Sequence, residues 1–132
     1  MRKFKFGKLV RDRIVDQIIS DGNKPNWHEL SNDKFIEELK KKIVEESQEI
    51  PRTIDPTEVV KELADIQEMI DCILNALKVR KKDFLIIQKK KNEKAGSFKN
   101  KQYIEDVEVL NKKSVWLGYY LANPDKYPEL KK

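Results

Sequence analysis

Acidic side chains occur at helical spacing in two neighbouring stretches of the sequence. Glu46 and Glu49 lie three residues apart, and so do Glu62 and Asp65. Because residues three apart share one face of a helix, each pair can direct both carboxylates to the same side. Carboxylate oxygens are the ligands that hard divalent cations prefer. Two such helices facing each other could therefore hold magnesium, manganese or calcium rather than zinc.

The apolar residues around the first pair indicate that one of its carboxylates points towards a core. On a helical wheel at ~100° per residue, Glu46 falls inside the apolar arc, between Phe35 and Leu39. Glu49 lies just off the edge of that arc, and Glu45 lies further round. Because a buried carboxylate costs free energy unless a cation compensates its charge, Glu46 favours a cation site.

The second acidic pair lies in a helix whose apolar face is very wide. Glu62 and Asp65 fall inside that face, in line with Met69. A helix this apolar should be buried on most sides. Four carboxylates there would repel one another and raise their pKa values unless positive charge compensates them. The apolar residues of this helix are Val59, Leu63, Ile66, Met69, Ile70, Ile73, Leu74 and Leu77.

An alternative interpretation treats the acidic residues as part of a solvated surface. The string Glu-Glu-x-x-Glu is common on exposed helices, where Glu45 could pair with Lys41 or Lys42. Glu62 could likewise pair with a neighbouring lysine. Taken alone, the first motif favours this alternative. The position of Glu62 and Asp65 inside an apolar stripe favours the cation site.

Length and composition limit the class of protein. The chain has 132 residues, of which 39% are hydrophobic and 39% are charged, as expected for one helical domain with solvated surfaces. Its one cysteine, Cys72, cannot form an intrachain disulfide. No apolar run reaches the length of a membrane span, and the N-terminus lacks the apolar core of a secretory signal. These features predict a cytoplasmic protein that does not interact with a membrane.

The basic charge balance indicates an anionic partner. The formal charge is +5, and lysines concentrate in 89–101 and at both termini. Such a balance suits a nucleic acid or a phosphorylated small molecule, although lysine runs also occur on plain solvated helices. Near the N-terminus, Lys8, Arg11 and Arg13 could neutralise phosphates. The alternative is that the two arginines form surface ion pairs with Asp12 or Asp16.

Apolar periodicity and helix-boundary residues predict an all-α fold. Asp55 can cap a helix that begins at Pro56, while Gly22 and Gly96 suit helix ends. We expect an antiparallel bundle of about four core helices in a single domain, 1–132, with 111–132 as a C-terminal extension. The predicted helices are 9–21, 31–50, 55–78, 81–95 and 111–122, and 102–109 is predicted to be extended.

The third predicted helix bears on the oligomeric state. Its apolar face is wider than the rest of so short a chain can cover. A second copy of the chain could cover it, because closed symmetric assemblies bury such faces. We therefore expect a bundle that is completed by oligomerisation, as a homodimer or a dimer of dimers.

The order of the acidic motifs is similar to that of a known family. Glu-Glu-x-x-Glu at 45–49, a short gap and Glu-x-x-Asp at 62–65 resemble the all-α nucleotide pyrophosphohydrolases, the MazG and phosphoribosyl-ATP pyrophosphohydrolase superfamily. Lys-Leu-Val-Arg-Asp-Arg-Ile at 8–14 and Lys-Pro at 24–25 resemble one branch, usually described as house-cleaning pyrophosphatases. The resemblance extends from about Lys8 to Val109.

This resemblance implies a reaction and a set of site residues. The family cleaves nucleotides between the α- and β-phosphates, releasing a monophosphate and pyrophosphate. By resemblance, Glu46, Glu49, Glu62 and Asp65 would be ligands of Mg²⁺, with Mn²⁺ as the other candidate. Glu46 and Glu49 would also act in catalysis, by orienting the attacking water. Glu45 would support the ligands without binding the metal.

The phosphate-binding residues depart from the family pattern at one point. The branch usually ends its fourth helix with Lys-x-x-x-Arg-Gly-Gly-Phe. Here Lys91 and Gly96 match, but Ala95 and Ser97 replace the arginine and the second glycine. Lys94 is the nearest basic replacement, although it points about 100° away on the helix.

Together, the N-terminal basic residues and the lysines of the fourth helix give four residues that are predicted to bind substrate phosphates. They are Lys8, Arg11, Lys91 and Lys94.

A second hypothesis gives the chain a different function. It would be a basic helical module that binds nucleic acid or a protein, with an inactive acidic site. Its support is a set of lysines: Lys89, Lys90, Lys91, Lys94, Lys99 and Lys101. This hypothesis predicts salt-dependent binding without catalysis, whereas the first predicts magnesium-dependent release of pyrophosphate.

Overall fold

The structure is a computed structural model that describes residues 1–131. The described residues contain helices and no strand, which confirms the predicted all-α class. The helices are α1 Ile14–Ser20, α2 Asn32–Glu49, a 3₁₀ turn Ile50–Arg52, α3 Pro56–Ala76, α4 Lys81–Ala95 and α5 Val115–Ala122.

The three longest helices begin and end close to the predicted boundaries. Ser31 caps α2 by accepting a hydrogen bond from the backbone N–H of Lys34 at 3.3 Å. Asp55 caps α3 by accepting one from the N–H of Thr57 at 2.9 Å. These side chains satisfy backbone donors that have no partner inside the helix, so they set where each helix starts.

The predicted boundaries of α1 are wrong at the start. The predicted helix was 9–21, but α1 begins only at Ile14. Arg13 stands at the N-cap and makes no side-chain capping bond. The backbone N–H of Ile14 donates to the carbonyl oxygen of Arg11 over 3.1 Å, so the chain enters α1 through a turn rather than through an earlier helical turn.

The last predicted helix also begins later than expected. It was predicted from residue 111, whereas α5 begins at Val115, where Ser114 accepts a hydrogen bond from the N–H of Trp116 at 3.2 Å. The segment 102–109, predicted as extended, forms no regular element.

Helices α2 and α3 form an antiparallel pair. Asn32, at the start of α2, donates from Nδ2 to the backbone oxygen of Ala76, at the end of α3, over 3.1 Å. Seven residues further into each helix lie Leu39 and Met69, which are 4% and 8% exposed and are the buried apolar residues of the described chain. The core therefore sits in the middle of this helix pair.

Much of the apolar face of α3 stays uncovered within one chain. Leu63 and the C-cap residue Leu77, both predicted to lie on that face, are 50% and 54% exposed, and Val60 beside it is 64% exposed. The expectation that α3 is buried on most sides is wrong for the single chain, because α2 is the helix that packs extensively against it. Helix α4 adds further exposed apolar residues, which are Leu85, Ile86 and Ile87.

The chain comprises two compact units. The first is Met1–Lys94, and the second begins at Ala95. Within the second unit, the aromatic side chains of Trp116, Tyr119 and Tyr120 lie close to one another, and Tyr127 packs on Tyr120 with ring centroids 5.0 Å apart. Among the described residues, no helix combines the length and the apolar character needed to cross a membrane.

Candidate functional site

The α2–α3 pair places two of the predicted carboxylates near the connection between the helices. Glu46 lies seven residues after Leu39, and Glu62 lies seven residues before Met69. Seven residues are about two helical turns, so each carboxylate shares a face with the buried residue of its own helix. The antiparallel register set by Asn32 therefore puts Glu46 and Glu62 at the same level of the pair.

Glu62 has one satisfied oxygen and one unsatisfied oxygen. The hydroxyl of Thr53 donates to Oε1 of Glu62 over 2.6 Å and also lies 3.1 Å from the backbone oxygen of Glu49. The other oxygen, Oε2, is buried and has no donor among the described residues. A buried carboxylate oxygen without a donor is costly, so this atom suits contact with a cation.

Glu46 lies among other carboxylates. Burial raises its pKa above the ordinary value of 4.5, and repulsion from Glu49 and from Asp65 on α3 raises it further. Lys42 opposes the shift in pKa, and Glu45 adds to it. Glu49 on α2 and Asp65 on α3 therefore both act on the carboxylate of Glu46.

Asp65 is paired with an arginine from the N-terminal segment. Nη2 of Arg11 lies 2.5 Å from Oδ1 of Asp65. The two alternatives for Arg11, ion pairs with Asp12 or Asp16, are not formed among the described residues. The predicted phosphate-binding arginine thus contacts a predicted metal ligand directly.

The remaining acidic residues of the first motif face solvent. Glu45 and Glu49 are exposed, whereas Glu46 is half-buried. Neither of the lysines predicted as a partner, Lys41 or Lys42, forms an ion pair with Glu45 among the described residues. Lys41 instead bonds Glu38 at 3.1 Å, and this hydrogen bond raises the pKa of Lys41. Within the described part of the chain, Glu45 forms no ion pair and accepts no hydrogen bond from a side chain.

The other predicted phosphate-binding residues are exposed and lie on other elements. Lys8 precedes α1, and its Nζ lies 5.9 Å from the ring centre of Phe6. Lys91 and Lys94 lie on α4. Over the residues that the structure describes, neither of these two lysines forms an ion pair with the predicted carboxylates.

The donor set fits a hard divalent cation in its chemistry. Oε2 of Glu62 lacks a donor, and the carboxylates of Glu49 and Asp65 act unfavourably on Glu46. All of these ligands are carboxylate oxygens, as Mg²⁺ and Mn²⁺ prefer. In the described chain, no three His, Cys, Asp or Glu side chains converge closely enough to form a ready-made metal-binding group.

Thr53 is a site residue that the sequence did not indicate. Its hydroxyl reaches Glu62 because the 3₁₀ turn Ile50–Arg52 bends the chain directly after α2. A threonine between two helices carries no spacing signal of its own. The capping aspartate at 55 indicated that a helix begins there, but not which side chain of the preceding connection would turn inward.

Comparison with protein-family models, curated proteins and solved structures found no match. The relation to nucleotide pyrophosphohydrolases therefore depends on the motifs in the sequence. The geometry of the α2–α3 pair stands independently of it.

Proposed function

We propose that the protein is a magnesium-dependent nucleotide pyrophosphohydrolase, cleaving a nucleoside triphosphate between its α- and β-phosphates. The observation that carries this proposal is the buried, donorless Oε2 of Glu62, at the level of Glu46 in the antiparallel helix pair. A carboxylate oxygen in that environment needs positive charge. The family resemblance of the four acidic residues supplies the reaction.

The acidic residues would bind the metal ion, and two of them would also act in catalysis. Glu46, Glu49, Glu62 and Asp65 would bind the divalent cation, which when bound supplies positive charge for the phosphate oxygens. Glu46 and Glu49 would also orient the attacking water through their carboxylate oxygens. Thr53 would hold the Glu62 carboxylate in one orientation through its 2.6 Å hydrogen bond.

A panel of ordinary, deoxy and modified nucleoside triphosphates tests this function. We expect Mg²⁺-dependent release of pyrophosphate from at least one of them, and loss of that release in Asp65→Asn. Glu58→Gln is a matched control, since Glu58 lies on the same helix and pairs with Lys61 at 3.1 Å on the surface. Absence of turnover on the whole panel, together with absence of metal binding, would contradict the proposal.

The exposed apolar residues of α3 and α4 support a second part of the proposal, which is that two copies of the chain complete the bundle. Leu63 is half exposed, although it lies only one residue from Glu62. A second copy covering this face would bury apolar area and exclude water from the carboxylates. Light scattering should give at least the dimer mass, and a monomer mass across micromolar concentrations would contradict this part.

The exposed lysines of α4 favour a second candidate function, namely binding of nucleic acid. Lys90, Lys91 and Lys94 are all exposed on one helix. This function predicts binding to DNA or RNA that weakens steeply with salt, and it predicts that Asp65→Asn leaves binding unchanged. Measuring RNA affinity at two salt concentrations, alongside pyrophosphate release, separates the two functions.

A further inference from the structure

The ion pair between Arg11 and Asp65 differs from most other ion pairs of the described chain. Most of the others join residues three or four positions apart on one helix. Arg11 and Asp65 are 54 positions apart, and the contact links the segment before α1 to α3. An ion pair within one helix stabilises that helix, whereas this one joins two separate segments of the chain. Its role is therefore sought at the proposed metal ligand Asp65.

The contact places a positive charge directly on a proposed metal ligand. A cation that bound Oδ1 of Asp65 would have to displace the guanidinium, whose Nη2 lies 2.5 Å from that oxygen. Two positive charges on one carboxylate oxygen repel each other. A metal ion bound at Oδ1 would therefore compete with Arg11 for that atom.

The pair is also weak enough to exchange. The side chains of Arg11 and Asp65 are 62% and 43% exposed, so solvent screens their attraction. Among the described residues, the guanidinium of Arg11 bonds to no acceptor other than Asp65, and the backbone of Arg11 is held separately by the N–H of Ile14, so the side chain can turn away without disturbing the backbone. Once it leaves Asp65, its guanidinium offers a planar pair of donors suited to phosphate.

We infer that Arg11 is a positioning residue that exchanges between Asp65 and the phosphates of the nucleotide, so that binding of the metal and binding of the nucleotide assist each other. This inference rests on the proposed function. When the metal ion binds the carboxylate of Asp65, the guanidinium of Arg11 dissociates from it. The guanidinium then donates hydrogen bonds to phosphate oxygens of the nucleotide. By linkage, phosphate that binds Arg11 frees Asp65 for the metal by the same factor.

Two binding measurements on Arg11→Ala test this exchange. In the first, Mn²⁺ alone is titrated into the protein by calorimetry, and the variant should bind Mn²⁺ about two- to fivefold more tightly, because its competitor is gone. In the second, equilibrium dialysis measures binding of pyrophosphate at saturating Mn²⁺. Here the variant should bind about tenfold more weakly, since a charged hydrogen-bond donor is lost. A merely structural arginine would weaken both.

Arg80→Ala is the matched control, because it removes an exposed arginine whose ion pair joins it to Asp83 over 2.9 Å rather than to a predicted metal ligand. It should leave both affinities within about twofold of the wild type. Arg11→Lys keeps the charge and should shift both affinities in the same directions by less. If Arg11→Ala does not fold cooperatively on heating, the lysine variant carries the test.

The outcomes separate this inference from the proposed function. Unchanged or weaker Mn²⁺ binding in Arg11→Ala, with normal Mn²⁺ binding by the wild type, would overturn the exchange and leave the enzyme proposal standing. Pyrophosphate binding that is unchanged in the variant would overturn it equally. If the wild type binds no Mn²⁺, both the exchange and the proposed function are overturned.

Discussion

The acidic side chains between α2 and α3 and the basic side chains of α4 differ in how the fold restrains them. Glu62 is held by Thr53, Asp65 is held by Arg11, and Glu46 is half-buried among other carboxylates. Lys91 and Lys94 are exposed. Both regions stood out in the sequence as clusters of charged residues, and the acidic one also by its position on apolar helix faces. A cluster of charged residues therefore indicates a binding site more strongly when tertiary contacts orient its side chains than when the side chains are exposed to solvent.

The largest predicted effect comes from neutralising Glu49, an exposed acidic residue of the proposed site. Glu49→Gln should lower the rate of pyrophosphate release about 10²- to 10⁴-fold, because it removes a proposed ligand that also orients the attacking water. The exposed Glu58 provides the control variant Glu58→Gln, which should retain the wild-type rate. A Glu49→Gln enzyme with normal turnover would show that the acidic cluster is a solvated surface.

A second test sharpens the role of the hydrogen bond that orients Glu62. Thr53→Val removes the hydroxyl that lies 2.6 Å from Oε1 and keeps nearly the same shape. Loss of a partner that orients a metal ligand should weaken Mn²⁺ binding about 10- to 100-fold. Thr57→Val is a control at a threonine whose backbone N–H, rather than its side chain, makes the recorded bond. Equal Mn²⁺ affinity in the wild type and Thr53→Val would remove Thr53 from the site.

A third test asks whether the end of α4 meets the substrate. Ala95 is exposed and stands where the resembling family has an arginine, so Ala95→Arg can be accommodated without a clash in the core. If this helix end binds phosphate, the variant should lower the KM for the nucleotide about tenfold, the effect of one charged hydrogen bond. Asn92→Arg adds the same charge one turn earlier and serves as the control. Identical KM values in the two variants would assign the gain to charge alone.

The smallest predicted effect concerns stability in the absence of metal. The folded protein raises the pKa of Glu46, so it binds the proton more tightly than the unfolded chain does. Stability should therefore fall as the pH rises from the ordinary value of 4.5 through the raised pKa. Glu46→Gln should remove this slope and stabilise the metal-free protein at pH 7 by up to about 1 kcal/mol.

Urea unfolding at several pH values, without and with Mg²⁺, measures the effect. Added Mg²⁺ should stabilise the wild type more than the variant, because it binds the folded state through this carboxylate. A variant that is less stable than the wild type at pH 7 would mean that Glu46 already has a favourable partner.

The sequence predicted where α2 and α3 begin, but not where α1 begins. The capping residues Ser31 and Asp55 define where α2 and α3 begin, and such local signals need no tertiary information. The start of α1 was missed because the apolar spacing of Val10 and Ile14 mimics a helical turn. Nothing caps a helix there, and Arg11 contacts Asp65 instead.

The candidate site divides in the same way. Helical spacing predicted that Glu46 and Glu62 share faces with the core, and their positions two turns from Leu39 and Met69 agree with it. The contacts of Thr53 and Arg11 could not be predicted, since each depends on where a non-helical segment runs. The extent of burial of α3 was overestimated, because a wheel shows which residues are apolar but not what covers them.

The central claim, that carboxylates of α2 and α3 bind a divalent cation, is tested most directly by titrating Mn²⁺ and following its free fraction by electron paramagnetic resonance. This measurement needs no knowledge of the nucleotide. The account predicts saturable binding to the wild type and to Glu58→Gln, and loss of that binding in the double variant Glu62→Gln, Asp65→Asn. Absence of saturable binding to the wild type, or equal binding by the double variant, would contradict it.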